Sequence, residues 1–234
     1  MILFYQPDLE NQNACFLSEE ESRHCVKVLR KKNGDQIIVV DGKGNRNQAV
    51  ITNAQPKKCE FEIQSTESFE RNPYNIHIAI APTKNIDRIE WFVEKAVEFG
   101  VDEISFIQCA RSERKNLKPE RLIKKAVSAA KQSLKFWFPK INALTSYNDF
   151  IQSASDCDQR FIAYVDETLP EHLKSAAHPN KKICVMIGPE GDFSPEEIET
   201  AFNNGFQAIH LGKSRLRTET AGIAAAHILN LINE

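Results

Sequence analysis

The sequence predicts an α/β protein with a mostly parallel sheet, preceded by a small β-rich module, and three observations carry that reading. From Tyr74 onward, apolar runs of strand length alternate with segments of helical periodicity, the pattern of strand–helix–strand units. The first 70 residues instead hold several short strand-like runs and one helical signal. The chain has 234 residues, 41% hydrophobic and 26% charged, enough to bury a real core in one large domain or two small ones. With 9 Gly and 10 Pro it is neither disordered, collagen-like nor low in complexity.

In the first module a strand is expected over 2–5, and Ser18 with Glu21 three residues on reads as a capping box opening a helix to about Arg30. Strands follow over 36–40, 48–51 and 59–63, with Asp41-Gly42-Lys43-Gly44-Asn45 as a hairpin loop. The polar stretch 65–73 reads as a linker. Beyond it, Ile76, Ile78 and Ile80 alternate as a strand, and Ile89, Phe92, Val93, Ala96 and Val97 follow helical spacing up to Gly100, a natural stop. A strand over 103–107 comes next. Pro119 then opens a basic amphipathic helix whose buried face is read as Leu122, Ile123, Ala126, Val127 and Ala130. Strands over 160–165, 182–187 and 207–211 bring the second part to five, and an alanine-rich helix over 218–232 closes the chain.

The net charge of −2 conceals an asymmetry. Residues 111–140 hold ten basic side chains against two acidic ones, whereas 151–200 hold ten acidic against four basic. A charge run is ordinarily a solvated helix face. This one ends in Phe136-Trp137-Phe138, and bases beside aromatics also suit phosphate pairing with nucleobase stacking, although those aromatics fit a core equally well. Arg23, Lys27, Arg30, Lys31 and Lys32 form a second basic cluster. The six cysteines have no CxxC pair and no adjoining histidine cluster, so reduced thiols are expected and no metal site. The longest aliphatic run, around 183–187, is far too short for a membrane span, and the opening MILFYQPDLE lacks a basic signal-peptide start; a soluble cytoplasmic protein is expected.

Ligands of open α/β sheets bind past the carboxyl ends of strands, which directs attention to the loops after the last two. IGPEGDFSPEE (187–197) has a glycine turn before a helix start, but no lysine, no GxGxxG and no Walker pattern. It sets Glu190 and Asp192 where a phosphate would sit, so it suits a cationic ligand. Helix capping accounts for Ser194 to Glu197 and leaves Gly188-Pro189-Glu190-Gly191 unexplained. LGKSRLRTETAG (211–222) puts Lys213, Arg215 and Arg217 just before Thr218, Glu219 and Thr220 at another helix start.

These two loops, about twenty residues apart, resemble the RsmE family of ribosomal RNA methyltransferases in the SPOUT superfamily. HCVKVLRKKNGDQIIVVDGKGN, from His24, is similar to that family's N-terminal PUA-like β-barrel, and 81–100 to its first catalytic-domain helix. Asp192 stands where the family more often has Gly, and Leu134-Lys135 where it often has Gly-Arg. The resemblance implies a PUA-like RNA-binding barrel over 1–70 and, over 74–234, a SPOUT-type mostly parallel sheet with helices on both faces and a C-terminal trefoil knot. It implies a homodimer that uses S-adenosyl-L-methionine to methylate the ring imino nitrogen, position 3, of one uridine in 16S ribosomal RNA, free or within the assembled small subunit. Ile187, Gly188, Gly191, Leu211, Gly212, Leu216 and Thr218 are then the expected cofactor residues. Arg217, with Glu219 or Glu190 as proton acceptor, is the catalytic candidate, and Arg23, Arg30, Lys31, Arg111, Arg114 and Lys131 are the RNA-binding candidates.

Overall fold

A computed structural model describes residues 1–9, 15–164 and 171–234. The chain divides into two compact units: Met1–Arg71 together with Val127–Phe138, and Asn72–Ala126 together with Pro139–Glu234.

The first unit is built on a four-stranded sheet in the order β1 (Leu3–Tyr5), β2 (Gln36–Val40), β3 (Asn45–Asn53), β4 (Glu60–Ser68). β1 runs parallel to β2, and the other pairings are antiparallel. Phe4, Leu17, Cys25, Ile37, Val39, Ile51 and Phe61 form its core. Asp41 shapes the β2–β3 turn: its Oδ1 accepts from the amides of Lys43 at 2.7 Å and Asn45 at 3.1 Å, while Gly42 and Gly44 take positive φ.

Two expectations for this unit need correction. Ser18 does cap a helix, accepting from the Glu21 amide at 3.3 Å, but α1 spans only Glu19–Arg23 and continues as a π-helical turn over His24–Val28. Arg30, at φ 56°, cannot extend a right-handed helix. The polar stretch read as a linker is strand up to Ser68, because β4 pairs with β3 and polar residues suit its exposed face. Phe136, Trp137 and Phe138 pack on this unit: Phe136 stacks on Phe69 with centroids 4.3 Å apart, and the Trp137 indole N–H donates to the Phe69 carbonyl at 2.9 Å.

Among its described residues the second unit has six strands, all parallel, in the order β10 (Gln207–Ile209), β8 (Gln159–Ala163), β9 (Lys182–Ile187), β5 (Asn75–Ile80), β6 (Glu103–Gln108), β7 (Lys140–Ser146). Its helices are α2 (Ile86–Glu98), α3 (Pro119–Gln132), α4 (Tyr147–Ser153), α5 (Leu173–Ala176), α6 (Pro195–Asn203) and α7 (Thr218–Asn233). The last turns of α3 belong to the first unit. β7 and α4 escaped the sequence reading because β7 is an edge strand with no fully buried residue and no continuous apolar run. Ile123, expected on the buried face of α3, is 42% exposed. Val165, the expected end of β8, lies outside the described residues.

Strand order reverses at β9 and β5, which are register partners over their whole length; the Ala81 amide extends the pairing to the Ile187 carbonyl at 3.0 Å. That is the switch point at which open α/β sheets bind ligands. α7 packs on α2, β5 and β9, and its close approach requires Gly222: a Cβ there would lie 2.5 Å from Phe92 Cε2.

Candidate functional site

The loop after β9 turns tightly, with the Asp192 amide donating to the Pro189 carbonyl at 2.9 Å and Asp192 itself at φ 63°. A left-handed residue here explains why glycine suits this position. Asp192 adapts by letting its own Oδ1 accept from the Phe193 amide at 2.8 Å. Ser194 then starts α6 with a full capping box, the Glu197 carboxylate accepting from the Ser194 amide at 2.9 Å. The other Glu197 oxygen accepts from the Ala110 amide at 2.8 Å, so one buried carboxylate ties two loops together. Tyr147 donates its phenol to the Glu197 carbonyl at 2.6 Å; burial, then the Glu197 charge, pushes that phenol up, so it stays a donor.

Two arginines expected to touch RNA hold backbone in this region. Arg111 Nη1 donates to the carbonyls of Gly191 at 2.8 Å and Phe193 at 3.2 Å. Arg114 donates to the carbonyls of Thr83 at 3.0 Å and of Lys84. The Lys84 amide in turn donates to Glu190 Oε1 at 3.1 Å, which joins the segment after β5 to the glycine loop. Thr83 and Lys84 were not singled out from the sequence, since their contribution is backbone and leaves no side-chain signature.

The second loop leaves β10 at the far edge of the sheet, yet its end meets the first: Thr218 Oγ1 donates to the Gly188 carbonyl at 3.1 Å. Ile187, Gly188 and Thr218 are buried where the two loops join, Leu211 and Leu216 are half-buried, and Gly191 and Gly212 are exposed. Gly212 takes φ +128°, and an ideal Cβ there would meet nothing within 4 Å, which leaves open space against the backbone. Gly188 is backed by Phe193, whose ring carbons would lie 3.1 Å from a Cβ.

The three catalytic candidates occupy different settings. Arg217 is the exposed N-cap of α7, with backbone holding the helix start through its carbonyl and no capping bond from its side chain. Glu190 is exposed. Glu219 is 6% exposed; Oε1 lies 3.7 Å from Arg88 Nε, and Oε2 has no hydrogen-bond partner among the described residues. Next to Thr218 in sequence, Glu219 is a buried, half-satisfied carboxylate, and with Glu190 it gives this region the negative charge that suits a positively charged methyl donor better than a phosphate.

Of the remaining RNA candidates, Arg23 is exposed and pairs with Glu19 at 3.3 Å, and Lys131 pairs with Glu21. Arg30, Lys31 and Lys32, with Val26, Asn33 and Ala54, line one open basic depression.

A parallel α/β unit with paired glycine and basic loops at its switch point, in a chain that also carries a small β unit, is the architecture of an RNA methyltransferase. The RNA methyltransferase domain family matches residues 70–230, and the RNA methyltransferase PUA domain family matches residues 17–64. A curated relative, ribosomal RNA small subunit methyltransferase E of Mesomycoplasma hyopneumoniae, is 31% identical over 222 residues, covering 92% of this chain and 93% of its own. The chain belongs to the ribosomal RNA small subunit methyltransferase E family. The crystal structure of a probable rRNA methyltransferase from Porphyromonas gingivalis superposes with a TM-score of 0.88 at 42% identity, covering 100% of this chain and 98% of that one. The Neisseria gonorrhoeae ribosomal RNA small subunit methyltransferase E, crystallised bound to S-adenosyl methionine, gives 0.85 at 29% identity, with coverage of 100% and 98%.

Proposed function

We propose that this protein transfers the methyl group of S-adenosylmethionine to the ring imino nitrogen, position 3, of one uridine in 16S ribosomal RNA. The observation that carries this reading is the junction of the two loops at Thr218 and Gly188, flanked in sequence by the exposed Arg217 and the buried Glu219. The cofactor supplies a methyl group on a positively charged sulfur. Ile187, Gly188, Gly191, Leu211, Gly212, Leu216 and Thr218 would hold it, chiefly through backbone groups.

A uridine imino nitrogen keeps its proton at neutral pH, so the reaction needs that proton removed and the resulting charge on the carbonyl oxygens stabilised. Arg217 presents a planar fork of donors that suits such an anion. Glu190, on the exposed rim, receives the proton as the base arrives from solvent. Glu219 balances positive charge from within, next to Arg88. The basic depression of Arg30 and Lys31, together with Arg23, Arg111, Arg114 and Lys131, would take up RNA phosphates. The reading extends to a PUA-like barrel over 1–70, a knotted SPOUT domain over 74–234, a homodimer and a cytoplasmic location.

Arg217→Ala tests the reading. It should lose most turnover on 16S RNA, with cofactor affinity by calorimetry unchanged, and raising the pH should restore part of the rate by pre-ionising the uridine. Wild-type turnover at neutral pH in this variant would remove Arg217 from the mechanism. Mapping the methyl group by mass spectrometry of ribosomal RNA from a strain lacking the protein tests the target base.

A further inference from the structure

We infer that His77, Cys157 and Cys184 form a buried site for a thiophilic divalent cation of the zinc class, separate from the methyltransferase loops. Their ligand atoms all lie within 4.8 Å of one another, and all three residues are buried, at 6%, 6% and 0% exposure. Sheet register creates the cluster. His77 and Cys184 are partners on the neighbouring parallel strands β5 and β9, so their side chains share one face, and Cys157 stands just before β8, the next strand over. Spacings of 80 and 27 residues hide this arrangement from any motif search.

The chemistry of the donors fits such an ion. Two thiolates and a neutral imidazole cancel a charge of two, which is what a dry site requires of a buried cation. Two cysteines and a histidine select a soft or borderline metal over magnesium or calcium. The imidazole is oriented from outside the cluster: His77 Nε2 lies 2.8 Å from Ser105 Oγ, which accepts from Asn142 Nδ2 at 2.8 Å, and Asn142 also donates to Glu103 at 2.6 Å. A ring held by an outer polar chain is the usual support of a metal-bound histidine. Asp156 Oδ1 lies 3.9 Å from Cys157 Sγ, but its carboxylate is exposed and paired with Lys182, so three protein ligands make up the site. The cluster lies toward the amino ends of the strands, and the cofactor loops follow their carboxyl ends, so its role is to hold β5, β8 and β9 together. Binding follows M²⁺ + 2 RSH → M(SR)₂ + 2 H⁺, with no redox step.

The experiment uses the full chain, reduced, stripped with a chelator and titrated with Zn²⁺ against a chromogenic chelator, then with Co²⁺. The wild type should bind one equivalent, release about two protons per metal, show a thiolate-to-cobalt charge-transfer band and melt at a higher temperature when loaded. Cys157→Ala and Cys184→Ser should each weaken Zn²⁺ by at least about tenfold, whereas Cys15→Ser should not. If a cysteine variant fails to fold, the band and the proton count of the wild type still decide. A wild type that takes up no Zn²⁺, binds Co²⁺ without the charge-transfer band, or binds equally well without Cys157 and Cys184 overturns the site and leaves three ordinary core side chains.

Discussion

The Thr218 hydroxyl donates to the Gly188 carbonyl at 3.1 Å, a buried bond across 30 residues that joins the two loops of the candidate site. Both groups lie at chain reversals, Gly188 just past β9 and Thr218 at the first turn of α7, so the bond sets the width of the cleft between the loops. Thr218→Val keeps the shape and removes the donor, leaving a buried carbonyl unsatisfied at about 1–3 kcal/mol. Cofactor affinity should fall about tenfold with little change in fold, read by calorimetry and circular dichroism. Unchanged affinity would show that the cleft is set elsewhere.

Arg111 and Arg30, both proposed to meet RNA phosphates, differ in that Arg111 also holds backbone of the glycine loop. Arg111 holds the Gly191 and Phe193 carbonyls, so Arg111→Ala should weaken the cofactor several-fold. Arg30 and Lys31 line the basic depression of the first unit. Reversing both to Glu should weaken RNA binding and flatten its salt dependence, with cofactor affinity unchanged. If the Arg30/Lys31 variant binds RNA like the wild type at moderate salt, the depression is a solubility feature.

Leu134 ends α3 at φ 57°, an uncommon conformation for a branched apolar residue, and the Lys135 amide closes the turn on the Ala130 carbonyl at 2.9 Å. Its side chain is 41% exposed and has little packing to lose. Leu134→Gly should therefore stabilise the protein by about 0.5–1 kcal/mol, the left-handed strain of about 1–2 kcal/mol exceeding the added chain entropy. Urea unfolding would measure it, with Leu134→Ala as the control expected to gain nothing. Asp192→Gly should gain less, since it also loses the Phe193 amide contact.

Leu134 and Asp192, the two positions at which the resemblance leads one to expect glycine, are left-handed residues. The alternation of Ile76, Ile78 and Ile80 made β5 readable, and β9, buried on both faces, was readable as a continuous apolar run. β7 left none, being half-exposed at the sheet edge. The loops were legible as glycine and charge clusters whose residue types have few other uses. What joins them was not: Arg111, Arg114 and Lys84 act on or through backbone groups, and His77 meets Cys184 only through sheet register.

His172, before the first turn of α5, makes the fold acid-sensitive. Its ring meets that of His210 edge to face with centroids 5.0 Å apart; His172 Nδ1 accepts from the Lys174 amide at 3.0 Å, and His210 Nδ1 accepts from the Gly212 amide at 3.2 Å. Both acceptances require an unprotonated nitrogen. Burial, then the nearby His210, lowers the His172 pKa below its ordinary 6.5, against an opposing backbone hydrogen bond at Leu211. A base whose pKa is depressed in the folded state binds fewer protons there than in the unfolded chain, so its contribution is whole above 6.5 and is lost as pH falls through the lower folded value. His172→Asn keeps a helix-capping acceptor and cannot titrate. The melting temperature of the wild type relative to His172→Asn should therefore fall between about pH 7 and about pH 5. Parallel melting curves for the two proteins across that interval would show that His172 carries no linkage to folding.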